Sequence, residues 1–162
     1  MKLGDLSAME LQFEVERLLY EYVQTLDDGH LERWPVFFTE ECTYQVIARD
    51  NFDRGLPLAL IRCESRDMLH DRVTALQQAN VYGPRYLRHL VSNPRVVERH
   101  EESVLVQSNF AVLRTMLDEP TKIFLAGRYL DRIVVDSGVL RFSEKRCIYD
   151  TLLIPNSVTY PV

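Results

Sequence analysis

No run in this chain approaches the roughly 18 consecutive apolar residues that a membrane-spanning helix needs. The N-terminus, MKLGDLSAMELQFEVERLL, carries acids inside its apolar pattern, so it does not form the apolar core of a secretion signal. Cysteine is scarce: Cys42, Cys63 and Cys147 are odd in number and widely spread. That excludes a disulfide framework and fits a reducing cytoplasm, with each thiol expected as a small core hydrophobe rather than a nucleophile. Positive charge is short too. Nineteen Lys and Arg stand against 24 Asp and Glu, a formal net charge of −5, which argues against a general binder of nucleic-acid backbones.

The short motifs that carry chemistry are also missing. Only 6 glycines are present, scattered at turns, and they form no G-x-G-x-x-G, no Walker-type loop and no G-x-S-x-G elbow. The histidines, His30, His70, His89 and His100, form no H-E-x-x-H. There is no C-x-x-C, and no C-x-H with C-x-x-H pair of the kind that holds a Rieske cluster. Spacing alone leaves open a site of two histidines and one carboxylate gathered from distant positions. The plainer expectation is that these histidines are surface or hydrogen-bonded core residues.

What remains is an ordinary globular composition, 46% hydrophobic and 27% charged, long enough for one domain with a sizeable core. Ser7 and Glu10 have the spacing of a capping box. Behind them Leu11, Val15, Leu18, Leu19, Tyr22, Val23 and Leu26 recur on one helical stripe that Gly29 ends. A short second helix is expected through Leu31, Trp34, Phe37 and Phe38. A third spans Ser65 to Asn80, burying Met68, Leu69, Val73, Leu76 and Ala79 and stopping at Gly83-Pro84. Cys42 to Arg49 reads as a strand, and Asp50 to Pro57 as an irregular excursion.

From Tyr86 onward the pattern is that of strands. Asn93-Pro94 marks a bend or bulge. Val104 to Leu117 has two apolar rows, as in a strand covered on both faces. Lys122 to Val135 and Val139 to Leu153 form a hairpin about Asp136-Ser137-Gly138. Gly127, inside a strand, marks a bulge or sharp bend. Three helices with one early strand, then long antiparallel strands, predict an α+β fold in which a curved sheet wraps the helices. No repeat or linker divides residues 1–162.

Such a fold encloses a cavity into which Tyr20, Asp27, Tyr44, His89 and Asn109 can project as an acid–base set. The alternative is that Asp27 and Asp28 are the polar end of the first helix and His89 a satisfied strand residue. Charges within strands, at Arg128, Asp131, Arg132, Glu144, Lys145 and Arg146, suit either cross-strand ion pairs or the polar part of a subunit interface.

Three strings, RYLRHLVSNPRV (Arg85 to Val96), FLAGRYLDRI (Phe124 to Ile133) and FSEKRCIYDTLLIPN (Phe142 to Asn156), resemble the small, or β, subunits of bacterial aromatic-ring-hydroxylating dioxygenases. The opening LLYEYVQTLDDGHLERWPVFFTEECTYQV (Leu18 to Val46) is similar to the start of those subunits. A Trp common in the last hairpin is replaced here by Val139-Leu140. The resemblance implies a cone-shaped fold of the nuclear-transport-factor-2-like type, shared with scytalone dehydratase and ketosteroid isomerase. It implies a large α subunit as partner, in an α3β3 hexamer. That partner would carry the Rieske [2Fe–2S] cluster and the mononuclear iron, fed with NAD(P)H electrons by a reductase with or without a ferredoxin. The chain itself would then be structural, holding no cofactor, with no catalytic, cofactor-binding or metal-ligating residue and no activity alone. The R-H-L-V-S-N string leans toward benzoate-like acids such as salicylate or anthranilate. A different class stays open: a stand-alone isomerase or dehydratase using Asp27, Tyr44 or His89, or a small-ligand-binding protein on the same cone.

Overall fold

Ser7 and Glu10 cap the first long helix reciprocally. The Ser7 hydroxyl accepts from the Glu10 backbone N–H at 3.3 Å, and the Glu10 carboxylate accepts from the Ser7 N–H at 2.8 Å. This helix, α1, spans Ala8–Asp27 and buries the expected stripe. At its end Gly29 adopts φ +77°, its N–H reaching Leu26 O and that of His30 reaching Thr25 O, so a left-handed residue satisfies two otherwise orphaned carbonyls. The computed structural model describes residues 2–79, 85–151 and 158–162.

Leu31–Phe37 forms a 3-10 helix, the short second helix, with Pro35 inside it. Two further helices follow, α2 over Arg49–Asp53 and α3 over Arg66–Gln78, the latter capped by the Ser65 hydroxyl on the Met68 N–H. Helix α2 lies in the stretch read from sequence as irregular. On α3 only Leu69 and Val73 are fully buried, while Met68, expected inside, is exposed. The expected stop at Gly83-Pro84 lies outside the described residues.

The strands are β1 (Phe38–Ala48), β2 (Ile61–Cys63), β3 (Arg85–Arg99), β4 (Ser103–Met116), β5 (Glu119–Asp136) and β6 (Val139–Tyr149). They form one six-stranded sheet in the order β2-β1-β6-β5-β4-β3. All neighbours are antiparallel except β1 and β6, so the early strand joins the last one in parallel, which corrects the all-antiparallel expectation. The register shifts at Asn93-Pro94, where Asn93 has φ 53°, and again between Val112 and Leu113 and between Arg132 and Ile133. Such bulges bend strands and strengthen twist, and here they curve the sheet around α1, which packs on both β3 and β6.

Gly127 itself pairs regularly with Phe110 and Tyr149. A Cβ there would lie 2.0 Å from the Ile148 carbonyl oxygen, so the glycine serves close backbone approach rather than a bulge. The concave face holds the core. Tyr22, Trp34, Phe38, Tyr44 and Phe142 are fully buried and meet mostly edge to face, with Trp34 and Tyr44 centroids 5.0 Å apart. On β4 the row Val104, Val106, Ser108, Phe110, Val112 is buried, whereas the second row is half-buried or exposed. The strand is thus covered on one face, not two, because among the described residues no helix packs on the outer side of β4, while α2 reaches only Arg128 of β5 through Asp53 and Phe52.

Candidate functional site: the interior of the cone

The alternation of β5 and β6 turns Asp131 and Lys145 inward, where they stand opposite each other in register. Both are fully buried and pair at 3.0 Å. The Lys145 ammonium lies 3.6 Å from the Tyr129 ring centroid and 4.6 Å from those of Tyr22 and Phe142. Aromatic faces therefore supply much of the stabilisation that water would give a free cation. Burial pushes the Asp131 carboxyl up to about 6, against the opposing pull of Lys145. These two charges were candidates for a subunit interface. Their place in the core removes them from it, whereas Arg128, Arg132, Glu144 and Arg146 do face outward. Of these, Arg132 approaches Glu144 at 4.0 Å across the strands, and Arg146 bonds to Glu144 along β6.

A second polar pair joins the end of α1 to β3. The Asp27 carboxylate accepts the His89 backbone N–H at 3.0 and 3.1 Å and meets His89 Nδ1 at 2.7 Å. The His89 side chain is fully buried and that of Asp27 nearly so. Sequence reasoning named both residues, and the structure brings them together. An Asp that orients a His through Nδ1 is the geometry of an acid–base couple, since it leaves Nε2 free to exchange a proton. Here the same carboxylate also ties down backbone, so the pair latches the helix to the edge strand.

The other candidates do not converge on it. Tyr20 is exposed on α1, and Asn109 points to the outer face of β4. Tyr44 lies inside, but its hydroxyl accepts from the Val162 N–H at 2.8 Å. The Val162 carbonyl in turn accepts from Tyr22 at 2.9 Å and from the Cys147 thiol at 3.3 Å, and Trp34 donates to the Tyr22 hydroxyl at 3.3 Å. Val162 is itself buried, so side chains of the protein occupy the middle of the cone. Burial raises the phenols of Tyr22, Tyr44 and Tyr129 well above the ordinary tyrosine value. It also pushes the Cys147 thiol up to about 12 and that of Cys42 to about 11. Neither phenolate nor thiolate chemistry is prepared here.

Open space lies instead on the surface. One groove of about 450 Å³ is bounded by Lys2, Leu3, Glu101 and Val134. Another of about 430 Å³ is bounded by Tyr20, Asp28, Arg33 and Phe37. Among the described residues no three His, Cys, Asp or Glu side chains gather as a ligand set, so the donors present do not fit a Rieske cluster or a mononuclear iron.

Comparison with known proteins decides the family. The family model described as "Ring hydroxylating beta subunit" matches residues 22–156. The chain belongs to that family. Among its relatives, the anthranilate 1,2-dioxygenase small subunit of Burkholderia cepacia is 36% identical over 95% of this chain and 96% of that one. A solved beta subunit assigned to an aromatic-ring-hydroxylating dioxygenase of Novosphingobium aromaticivorans is 38% identical. It covers 94% of this chain and 97% of its own, with a TM-score of 0.87. A protein of the same organism described as a scytalone dehydratase superposes with a TM-score of 0.66 at 22% identity, over 85% of this chain and 83% of its own, and shows the shared cone fold alone. The ring-hydroxylating small subunit is an oxidoreductase component, and it works with a large subunit in the terminal oxygenase.

Proposed function

We propose that residues 1–162 form the one-domain, structural small subunit of a cytoplasmic terminal oxygenase that hydroxylates an aromatic acid. The large subunit carries the Rieske cluster and the mononuclear iron, three copies of each subunit make the α3β3 assembly, and a reductase, with or without a ferredoxin, delivers NAD(P)H electrons. The observation that carries this reading is the filled cone. Tyr22, Trp34, Tyr44 and Val162 are buried inside the cone and bond to one another there, which leaves them committed to the core. The polar pairs around them, Asp27–His89 and Asp131–Lys145, are spent on tying elements together. The substrate class rests on the anthranilate-acting relative and on the R-H-L-V-S-N string of β3.

Co-expression with the large subunit tests the reading. The two chains should elute together in equal amounts, with all iron and the Rieske absorbance lost when the large subunit is withheld. Stoichiometric iron in the isolated small subunit, or turnover of an aromatic acid by it alone, overturns the reading.

A further inference from the structure

We infer that residues 158–162 form a strap that closes the cone: they dock in a preformed seat for a peptide group, and their release opens the interior to small molecules. The inference goes beyond the small-subunit reading and does not depend on it.

Residues 158–162 form neither helix nor strand. Side chains of other elements hold them instead. The Val162 N–H donates to the Tyr44 hydroxyl at 2.8 Å. The Val162 carbonyl accepts from the Tyr22 hydroxyl at 2.9 Å and from the Cys147 thiol at 3.3 Å. Trp34 Nε1 donates to the Tyr22 hydroxyl at 3.3 Å, which leaves the Tyr22 proton for Val162. Further back, Arg72 of α3 donates to the Thr159 carbonyl at 2.7 Å, and the Arg85 guanidinium lies 4.8 Å from the Tyr160 ring centroid. These holds come from α1, β1, β6, α3 and β3, one side chain from each. Each can let go without breaking a strand ladder or a helix, which is the character of a locally opening segment.

The segment is inserted rather than laid on the surface. Val158, Pro161 and Val162 are buried, Val162 with 2% of its surface exposed. The groups that receive Val162, namely Tyr22, Tyr44 and Cys147, expose nothing. Trp34 and Phe38 pack edge to face against Tyr44, with centroids 5.0 and 5.9 Å away, and so fix its hydroxyl in place. The seat is therefore rigid, and its chemistry is specific. Tyr44 offers an acceptor where Tyr22 and Cys147 offer donors, all within an aromatic wall. An apolar ligand carrying one N–H and one C=O satisfies all three, as a short apolar peptide does.

The Cys147 thiol reports on the strap. Burial pushes it up to about 12, so under the seated segment it is protonated and shielded. Withdrawal admits water and reagent to it, whereas Cys42 on β1 and Cys63 on β2 touch no residue of the strap through a hydrogen bond in the described structure.

The test is iodoacetamide labelling at mildly alkaline pH, with the labelled cysteine located by peptide mass mapping. The full chain is compared with a chain ending at residue 157 and with full-length Tyr44→Phe, which keeps the ring but loses the acceptor for Val162. The shortened chain should label Cys147 at least about tenfold faster than the full chain, with Cys42 and Cys63 left slow. Tyr44→Phe should show the same preference, more weakly. Preference for Cys147 in either variant supports the strap. Equal acceleration at all three cysteines in both variants, or none in either, makes the segment an ordinary part of the core and overturns the inference. Where the shortened chain shows the preference, a saturating acetylated Val-Thr-Tyr-Pro-Val peptide should return Cys147 to its full-chain rate. A rate that the peptide leaves unchanged overturns the seat. Every outcome is read on this chain by itself, so none bears on whether it joins a large subunit.

Discussion

On the inner face of the sheet Asp131 and Lys145 are fully buried, paired at 3.0 Å and ringed by aromatic side chains, whereas on the outer face Arg88 and Arg95 project without a carboxylate beside them. Both sets of charges sit on one sheet, the inner pair on β5 and β6 and the outer arginines on β3, and they point to opposite faces. The inner pair is costly to place, because two ions leave water, and it persists because each is the other's partner. The outer arginines cost the isolated fold almost nothing, since water solvates them. The inner pair thus answers to the fold, and Arg88 and Arg95 to the solvent around it.

The sharpest way to break this contrast is to remove one member of the inner pair. Asp131→Ala leaves Lys145 buried without its counter-ion and should cost about 3–5 kcal/mol in urea denaturation. Removing both, as Asp131→Leu with Lys145→Met, should come close to neutral or even stabilise, because the desolvation cost goes with the charges. A double variant as unstable as the single one would show that packing, not charge, sets the cost.

The same pair gives a pH signature. The folded Asp131 carboxyl titrates near 6 and the unfolded one near 3.8, so the native state holds the extra proton between those values. Stability from this group is therefore fully present below about pH 4 and declines as pH rises through about 6. The wild type minus Asp131→Leu/Lys145→Met difference, followed by denaturation from pH 4 to 8, should show that decline. A flat difference denies the shift.

Next in size is Gly127→Ala. The new methyl meets the Ile148 carbonyl at 2.0 Å, and backbone cannot rotate away as a side chain can, so a loss of about 1–3 kcal/mol is expected in thermal denaturation. Asp27→Ala, which opens the latch to His89, should cost about 1–3 kcal/mol by orphaning a buried N–H and the ring. Hydrogen exchange at the His89 amide should rise with it, locating the loss at the junction of α1 and β3.

These expectations also mark what could be read without coordinates. The first helix was legible because its signals are local: a capping box, a seven-member stripe and a glycine at the C-terminus lie within 23 residues. Strand β2 was not, since three residues carry no period, and it exists only because Ile61–Cys63 finds β1 to pair with. The facing of β5 was hidden for a different reason. Tyr129, Asp131 and Ile133 alternate with Arg128, Leu130 and Arg132, so each row holds both charge and apolar bulk. Hydropathy alone favours Leu130 inside, and only Lys145, opposite Asp131 on another strand, makes the inward carboxylate tenable. Asp27 and His89 were named from sequence but not as a latch, because the bond runs across 62 residues.

The smallest effect completes the comparison. Arg88→Gln with Arg95→Gln removes two charges, as many as the Asp131–Lys145 double variant does, yet from side chains that water already solvates and that pair with nothing in the described structure. Their removal should change the stability of the isolated subunit by less than about 0.5 kcal/mol in urea denaturation, the range of ordinary surface substitutions. If these arginines instead supported the sheet, their loss would shift the midpoint measurably, and the outer face would then belong to the fold as the inner one does. A null effect on stability separates Arg88 and Arg95 from the inner pair by the property that distinguishes them: whether the fold itself supplies the counter-charge.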